Sequence, residues 1–142
     1  MGYEKLLLDI YNRLYQRLGP SQWWPAKSRM EILVGAILTQ NTSWKNVEKA
    51  IIRLQDARLL NYQELLRVDE AYLARIIQPA GYFRQKSRYL KNLIYFLRDS
   101  CRGDLELLFR NDMMTLRDQL LQVKGVGKET AEAARDLSLR VY

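Results

Sequence analysis

The stretch LLQVKGVGKETAEAA, residues 120–134, carries the strongest structural signal in the sequence. Its pattern predicts a helix, a turn at Gly125-Val126-Gly127, and a second helix that begins at Lys128. Two glycines around a small apolar residue allow positive φ and let the backbone come close to a partner. The start of the second helix presents N–H groups without helical acceptors, so this turn is suited to bind a phosphate. A plain turn between two helices is the alternative.

The same stretch resembles a helix–hairpin–helix motif, which holds the DNA backbone without reading the base sequence. The contacts that this resemblance predicts with DNA are Gly125, Val126, Gly127, Lys128 and Thr130. The composition agrees, because 23 Lys+Arg against 16 Asp+Glu give a formal net charge of +7. Such a charge favours a polyanionic partner, with nucleic acid ahead of an anionic membrane.

Apolar residues recur at three- and four-residue spacing along the whole chain, and no stretch alternates with a period of two. We therefore expect an all-α fold, in which the 48% apolar content supplies a single core. Helices are predicted over 3–18, 28–39, 42–55, 62–67, 70–77, 84–100, 105–109 and 115–122, and from 128 onward. Helix N-caps are predicted at Asp69, at Asp104, and at either Asn41 or Thr42.

The chain contains one cysteine, Cys101, and no histidine. These counts exclude an internal disulfide, a cysteine-rich zinc site, a four-cysteine iron–sulfur cluster and a histidine general base. No apolar run is long enough to span a bilayer, and charges interrupt the leucines near the N-terminus, which is unlike a signal peptide. We expect a cytoplasmic protein without a membrane partner.

Four segments extend the resemblance beyond the hairpin. They are WWP at 23–25, GAILTQNT at 35–42, PAGYFRQKSRYL at 79–90 and KGVGKETA at 124–131. In this order they resemble the helix–hairpin–helix DNA glycosylases of the endonuclease III superfamily, and most of all the 3-methyladenine DNA glycosylases of the endonuclease III type. The resemblance implies a bacterial or archaeal nucleoid-associated enzyme of base-excision repair.

The resemblance also implies how the chain is organised. It gives one helical domain, 1–142, with a six-helix barrel over about 28–134 and the helix–hairpin–helix motif near 115–137. Residues 1–20 would form the N-terminal helix of a second, incomplete lobe. Family members flip a damaged base out of double-stranded DNA into the cleft between barrel and hairpin.

The predicted base pocket consists of Trp23, Trp24, Pro25 and Trp44. An alkylated purine carries positive charge on its ring, and it stacks well on electron-rich aromatic faces. Core packing is the alternative for each tryptophan, because this side chain is usually mostly buried.

Gln40 matches the family residue that fills the gap left by the flipped base. Its amide group both donates and accepts hydrogen bonds, which suits contact with an orphaned base. Asn41 has two interpretations that stay open here, a contact with DNA and an N-cap of the next helix.

The sequence departs from the family pattern at the catalytic residues. Glu129 occupies the position of the lysine that forms a Schiff base in bifunctional members, so the resemblance implies a monofunctional glycosylase without lyase activity. The family's catalytic aspartate would lie beyond Tyr142, and no catalytic residue is assigned within the chain. We expect impaired excision of alkylated, 3-methyladenine-like bases, and the alternative is a non-catalytic helix–hairpin–helix DNA-binding module.

The remaining expectations concern cofactors and assembly. The resemblance, with a single cysteine, implies no iron–sulfur cluster and no other cofactor, and it allows a structural monovalent cation at the hairpin. Apolar surface left open by the short C-terminus favours a homodimer, or another chain that supplies the missing wall.

Overall fold

The structure is a computed structural model that describes residues 29–110 and 113–127. Over these residues the backbone forms α-helices and one 3₁₀ turn, with no β-strand, which confirms the all-α prediction. The helices predicted over 3–18 and from 128 onward lie outside the described residues. Among the helices that are described, none combines the length and the apolar character needed to cross a bilayer.

The helix boundaries follow the predicted ones to within two residues. The helices are α1 (Arg29–Leu38), α2 (Trp44–Asp56), α3 (Tyr62–Arg67), α4 (Glu70–Ile76), α5 (Phe83–Cys101), α6 (Leu105–Phe109) and α7 (Met113–Leu121), and the 3₁₀ turn (Gln78–Ala80) lies between α4 and α5.

The N-cap of α2 corrects one prediction. Ser43 takes this position with an extended backbone, and its hydroxyl accepts a hydrogen bond from the Asn46 N–H at 3.4 Å. Asn41 instead adopts a left-handed conformation at φ 55°, and the Thr42 hydroxyl accepts from the Asn46 side chain at 3.2 Å. Neither Asn41 nor Thr42 caps the helix, so the predicted cap is wrong by one or two residues.

The other predicted caps are confirmed. The Asp69 carboxylate accepts from the Tyr72 N–H at the start of α4, and the Asp104 carboxylate accepts from the Glu106 N–H at the start of α6. Asn61, which was not predicted, caps α3 in the same way. Each cap satisfies an N–H group that has no acceptor inside its own helix.

The core is built around α5, which packs against α1, α3, α4 and α6. Its apolar stripe is buried and comprises Leu90, Leu93, Ile94, Leu97 and Cys101. Helix α1 is buried at every position from Met30 to Leu38, and these residues are apolar apart from Glu31, which accepts a hydrogen bond from the Gln55 side chain at 2.8 Å. Truncating a buried leucine of this kind to alanine costs about 2–5 kcal/mol.

A buried lysine, Lys91, caps the C-terminal end of α3. The Lys91 ammonium donates to the carbonyls of Leu65, Leu66 and Val68 at 2.9, 3.0 and 2.9 Å. These carbonyls have no donor within the helix, and a positive charge is favourable at a helix C-terminus. Burial lowers the pKa of Lys91.

Candidate nucleic-acid interface

The hairpin turn begins at Gly125, which rests on the ring of Tyr89. Its φ is +104°, in the left-handed region, and an added Cβ would overlap the Tyr89 ring carbons. Val123 and Val126 on either side are buried, and the Val126 N–H donates to the Val123 carbonyl at 3.0 Å. Backbone conformation and packing therefore both require glycine at position 125.

Gly127 differs from Gly125 in both respects. It is exposed, its φ is not in the left-handed region, and among residues 29–110 and 113–127 an added Cβ would meet no atom within 4 Å. Packing among the described residues therefore does not explain why position 127 is glycine, whereas a ligand that approaches the backbone closely would explain it. The predicted contacts Lys128 and Thr130, and Glu129 between them, lie outside the described residues.

Two side chains tie the hairpin to the barrel. The Gln40 side-chain amide donates to the Gly125 carbonyl at 2.7 Å, across 85 residues of sequence. The Asn92 side-chain amide, from α5, donates to the Lys124 carbonyl at 3.1 Å. The structure thus brings Gln40 directly against the predicted phosphate-binding turn, and a contact with DNA at Gln40 stays a prediction.

A second buried lysine joins the end of α1 to the turn before α5. The Lys86 ammonium donates to the Leu38 carbonyl at 2.8 Å and to the Ala80 carbonyl at 2.9 Å. Burial lowers the pKa of Lys86 to about 8. Sequence reasoning missed Lys86, although its position four residues before Leu90 puts a lysine on the apolar stripe of α5.

Tyr82 is the other residue that sequence reasoning missed. It follows Gly81 in the turn that Lys86 holds, it has a left-handed φ of 44°, and 64% of its surface is exposed. Its ring centroid lies 6.0 Å from the Lys86 ammonium. An exposed aromatic side chain on a left-handed backbone is uncommon, and such conformations cluster at functional sites.

Of the predicted base pocket, only Trp44 lies within the described residues. Trp44 is 7% exposed and belongs to the hydrophobic core, so core packing describes this ring in the structure. The assignment of Trp44 to the base pocket stays a prediction. Trp23, Trp24 and Pro25 lie outside the described residues. Asn41 is exposed beside Gln40, and its predicted contact with DNA also stays a prediction.

The result is an assembly of three turns on the N-terminal half of α5. The turn over 39–43, the turn over 79–82 and the hairpin over 124–127 are each bonded to it or to one another. On α5, the supporting residues Lys86, Tyr89 and Asn92 follow one another at three-residue intervals. Within 29–110 and 113–127, no three acidic or cysteine side chains gather as a metal site would require. The assembly brings the hairpin turn, Gln40 and the exposed Tyr82 ring together at the N-terminal half of α5.

Comparison with known proteins identifies the family. Residues 34–138 match the HhH-GPD superfamily base excision DNA repair protein family. A candidate DNA repair glycosylase of Methanocaldococcus jannaschii is 45% identical over 131 residues, covering 91% of this chain and 59% of that protein. The endonuclease III-like protein 1 of Gallus gallus is 27% identical over 114 residues, covering 80% of this chain and 37% of that protein.

Two solved structures share the fold. The H. pylori 3-methyladenine DNA glycosylase MagIII, bound to 1,N6-ethenoadenine, superimposes with a TM-score of 0.73 at 28% identity, covering 94% of this chain and 62% of that one. A trapped endonuclease III–DNA covalent intermediate gives a TM-score of 0.71 at 22% identity, covering 96% of this chain and 59% of that one. This chain therefore spans about three-fifths of these two proteins. It belongs to the HhH-GPD superfamily of base excision DNA repair proteins, within the endonuclease III group of helix–hairpin–helix glycosylases.

Proposed function

We propose that this chain binds double-stranded DNA and flips a damaged base out of the duplex, as part of a base-excision glycosylase. The observation that carries the proposal is the hydrogen bond between Gln40 and Gly125, which places the predicted gap-filling residue against the predicted phosphate-binding turn. This bond keeps the two groups that are proposed to contact the duplex around the flipped base next to each other.

The hairpin supplies the grip. Its backbone N–H groups bind a phosphate, Gly127 leaves room for the DNA backbone, and the net charge of +7 adds attraction that does not depend on sequence. Gly125 cannot leave room for the DNA backbone in this way, because the Tyr89 ring already occupies the space beside it.

Gln40 and Tyr82 are the residues that enter the duplex. Flipping a base costs a few kcal/mol of lost pairing and stacking. An aromatic ring that stacks on a neighbouring base offsets about 1–3 kcal/mol of that cost. A glutamine amide both donates and accepts hydrogen bonds, so Gln40 can exchange its bond to the Gly125 carbonyl for bonds to the orphaned base. The exposure of Tyr82 supports this role.

The proposed lesion is an alkylated purine of the 3-methyladenine type. The support comes from the H. pylori relative, whose name states that activity and whose structure holds a modified adenine. Trp23 and Trp24 are suited to stack on a positively charged purine.

We also propose that the chain lacks lyase activity, because Glu129 stands at the lysine position of bifunctional relatives. A carboxylate cannot form a Schiff base with an abasic sugar. Borohydride should trap no covalent adduct between this chain and abasic-site DNA, whereas Glu129→Lys should give one. Trapping of the unaltered chain would contradict a monofunctional mechanism.

Binding and flipping are tested with a duplex that carries 2-aminopurine beside the lesion. Anisotropy measures affinity, and 2-aminopurine fluorescence rises when the neighbouring base leaves the stack. We expect both signals to respond, with little release of free base by this chain. A duplex that binds without any rise in fluorescence would instead favour a non-catalytic DNA-binding module. Robust release that Glu129→Gln abolishes would make Glu129 the catalytic residue.

A further inference from the structure

Lys86 links the two chain segments that lead into the residues proposed to enter DNA. Its ammonium donates to the Leu38 carbonyl at 2.8 Å and to the Ala80 carbonyl at 2.9 Å. The Leu38 carbonyl lies two residues before Gln40, and the Ala80 carbonyl lies two residues before Tyr82. One side chain therefore bonds to the last residue of α1, which leads into the turn over 39–43, and to Ala80 within the turn over 79–82.

The surroundings of Lys86 make this link rigid. Lys86 is 2% exposed, and Leu38 and Ala80 are fully buried. Lysine is almost never buried to this extent unless its ammonium is paired, because removing the charge from water is costly. The two carbonyls are therefore held by one enclosed group, in a place where water cannot substitute for it.

We propose that Lys86 is a positioning residue that fixes the separation of the Gln40 turn and the Tyr82 turn, so that both side chains enter the duplex together. The inference rests on the proposed function, because it takes Gln40 and Tyr82 as the entering residues. Loss of the link should leave the hairpin free to bind phosphate and should impair the flipping step. Affinity and flipping should therefore separate in a Lys86 variant.

Lys91 provides a matched control on the same helix. It is 5% exposed, and its ammonium donates to three backbone carbonyls at the end of α3. It has the same chemistry and similar burial, but it bonds to neither of the turns proposed to enter DNA. Any effect that arises only from losing a buried lysine should be shared by both variants.

The experiment compares Lys86→Met and Lys91→Met with the unaltered chain, on the 2-aminopurine duplex. We expect both variants to melt at lower temperature and to bind the duplex within about threefold of the unaltered affinity. The fluorescence rise should fall about tenfold or more in Lys86→Met and should persist in Lys91→Met. Equal losses in the two variants, or an unaltered rise in Lys86→Met, would overturn the inference. No rise with the unaltered chain would instead overturn the proposed function.

A second measurement does not depend on the folding of a variant. In the unaltered chain labelled with ¹⁵N at the lysine Nζ atoms, the Lys86 resonance should shift when the 2-aminopurine duplex binds, because each of its acceptors lies two residues before an entering residue. The Lys91 resonance should stay in place. A Lys86 resonance that does not respond, in a complex that flips the base, would contradict the positioning role.

Discussion

At the residue scale, the two hairpin glycines have different reasons to be glycine. Gly125 has a φ of +104° and no room for a Cβ, whereas Gly127 has an ordinary φ and no clash with any residue that the structure describes. Gly125→Ala should therefore destabilise the fold by about 1–3 kcal/mol, and Gly127→Ala should change stability by less than about 0.5 kcal/mol. Urea unfolding measures both effects.

Substitutions at Gly125 and Gly127 should distinguish an effect on folding from an effect on DNA binding. Gly127→Ala should weaken duplex affinity about tenfold while the fold is retained, because its methyl group meets the approaching DNA backbone. Gly127→Asp adds a negative charge and should weaken it further. If Gly127→Asp binds duplex as tightly as the unaltered chain, the hairpin does not contact phosphate.

The buried Lys86 should make stability depend on pH. Burial lowers its pKa in the folded chain to about 8, against 10.5 for an ordinary lysine. Between these values the unfolded chain binds more protons, so the free energy of unfolding should rise with pH from about 8 to 10.5 through this group. The neutral amine keeps two hydrogens for its two acceptors, Leu38 and Ala80.

Unfolding in denaturant at several pH values measures this rise. Lys91, whose pKa is also lowered, contributes in the same direction, so the comparison needs a variant. The rise should be smaller in Lys86→Met than in the unaltered chain. Parallel pH profiles for the two proteins would show that Lys86 keeps an ordinary pKa in the fold.

At the scale of helices, the sequence predicts boundaries well where a cap residue stands alone. Asp69 and Asp104 are single capping residues before apolar periodic segments, and both caps are confirmed. The start of α2 was less certain because Asn41, Thr42 and Ser43 are all able to cap. The backbone path after α1 selects Ser43, and that path depends on tertiary packing, which local sequence does not contain.

Helix α5 shows what periodicity cannot predict. Its apolar stripe was evident, but lysine is usually exposed, and a sequence gives no acceptors for a buried ammonium. The acceptors of Lys86 lie 6 and 48 residues away, and those of Lys91 lie 23 to 26 residues away. The burial and the acceptors of both lysines therefore depend on how the helices pack, which the sequence pattern alone does not show.

Helix α5 also supports the hairpin, and a pair of its tyrosines tests that role. Tyr89→Ala removes the ring beneath Gly125, so we expect lower stability and duplex affinity reduced about tenfold. Tyr95, six residues further on, is 40% exposed and contacts the Arg98 guanidinium at 5.1 Å. Tyr95→Ala should leave duplex affinity within about twofold of the unaltered value. Equal losses of affinity would mean that α5 supports the hairpin without a specific contact.

At the scale of the whole molecule, the candidate site is assembled from three distant parts of the chain. The hairpin and Gln40 were predicted from motifs, because their residue types carry the chemistry of phosphate and base contacts. The bond between Gln40 and Gly125 and the position of Tyr82 were not predicted, since they depend on how 39–43, 79–82 and 124–127 meet. Motifs indicated the chemistry, and the packing of α5 determined its geometry.

The positive charge of the whole molecule should make its binding to DNA sensitive to salt. With a net charge of +7, duplex affinity should fall steeply between about 50 and 200 mM salt, because each neutralised phosphate releases counterions. Lys124→Ala, beside the hairpin, should make the slope of log affinity against log salt shallower by about 1. Arg98→Ala removes the same charge near the C-terminal end of α5, about 24 Å along the helix from Tyr82, and should leave the slope unchanged. Equal changes in slope would indicate that net charge, and not the hairpin, governs binding.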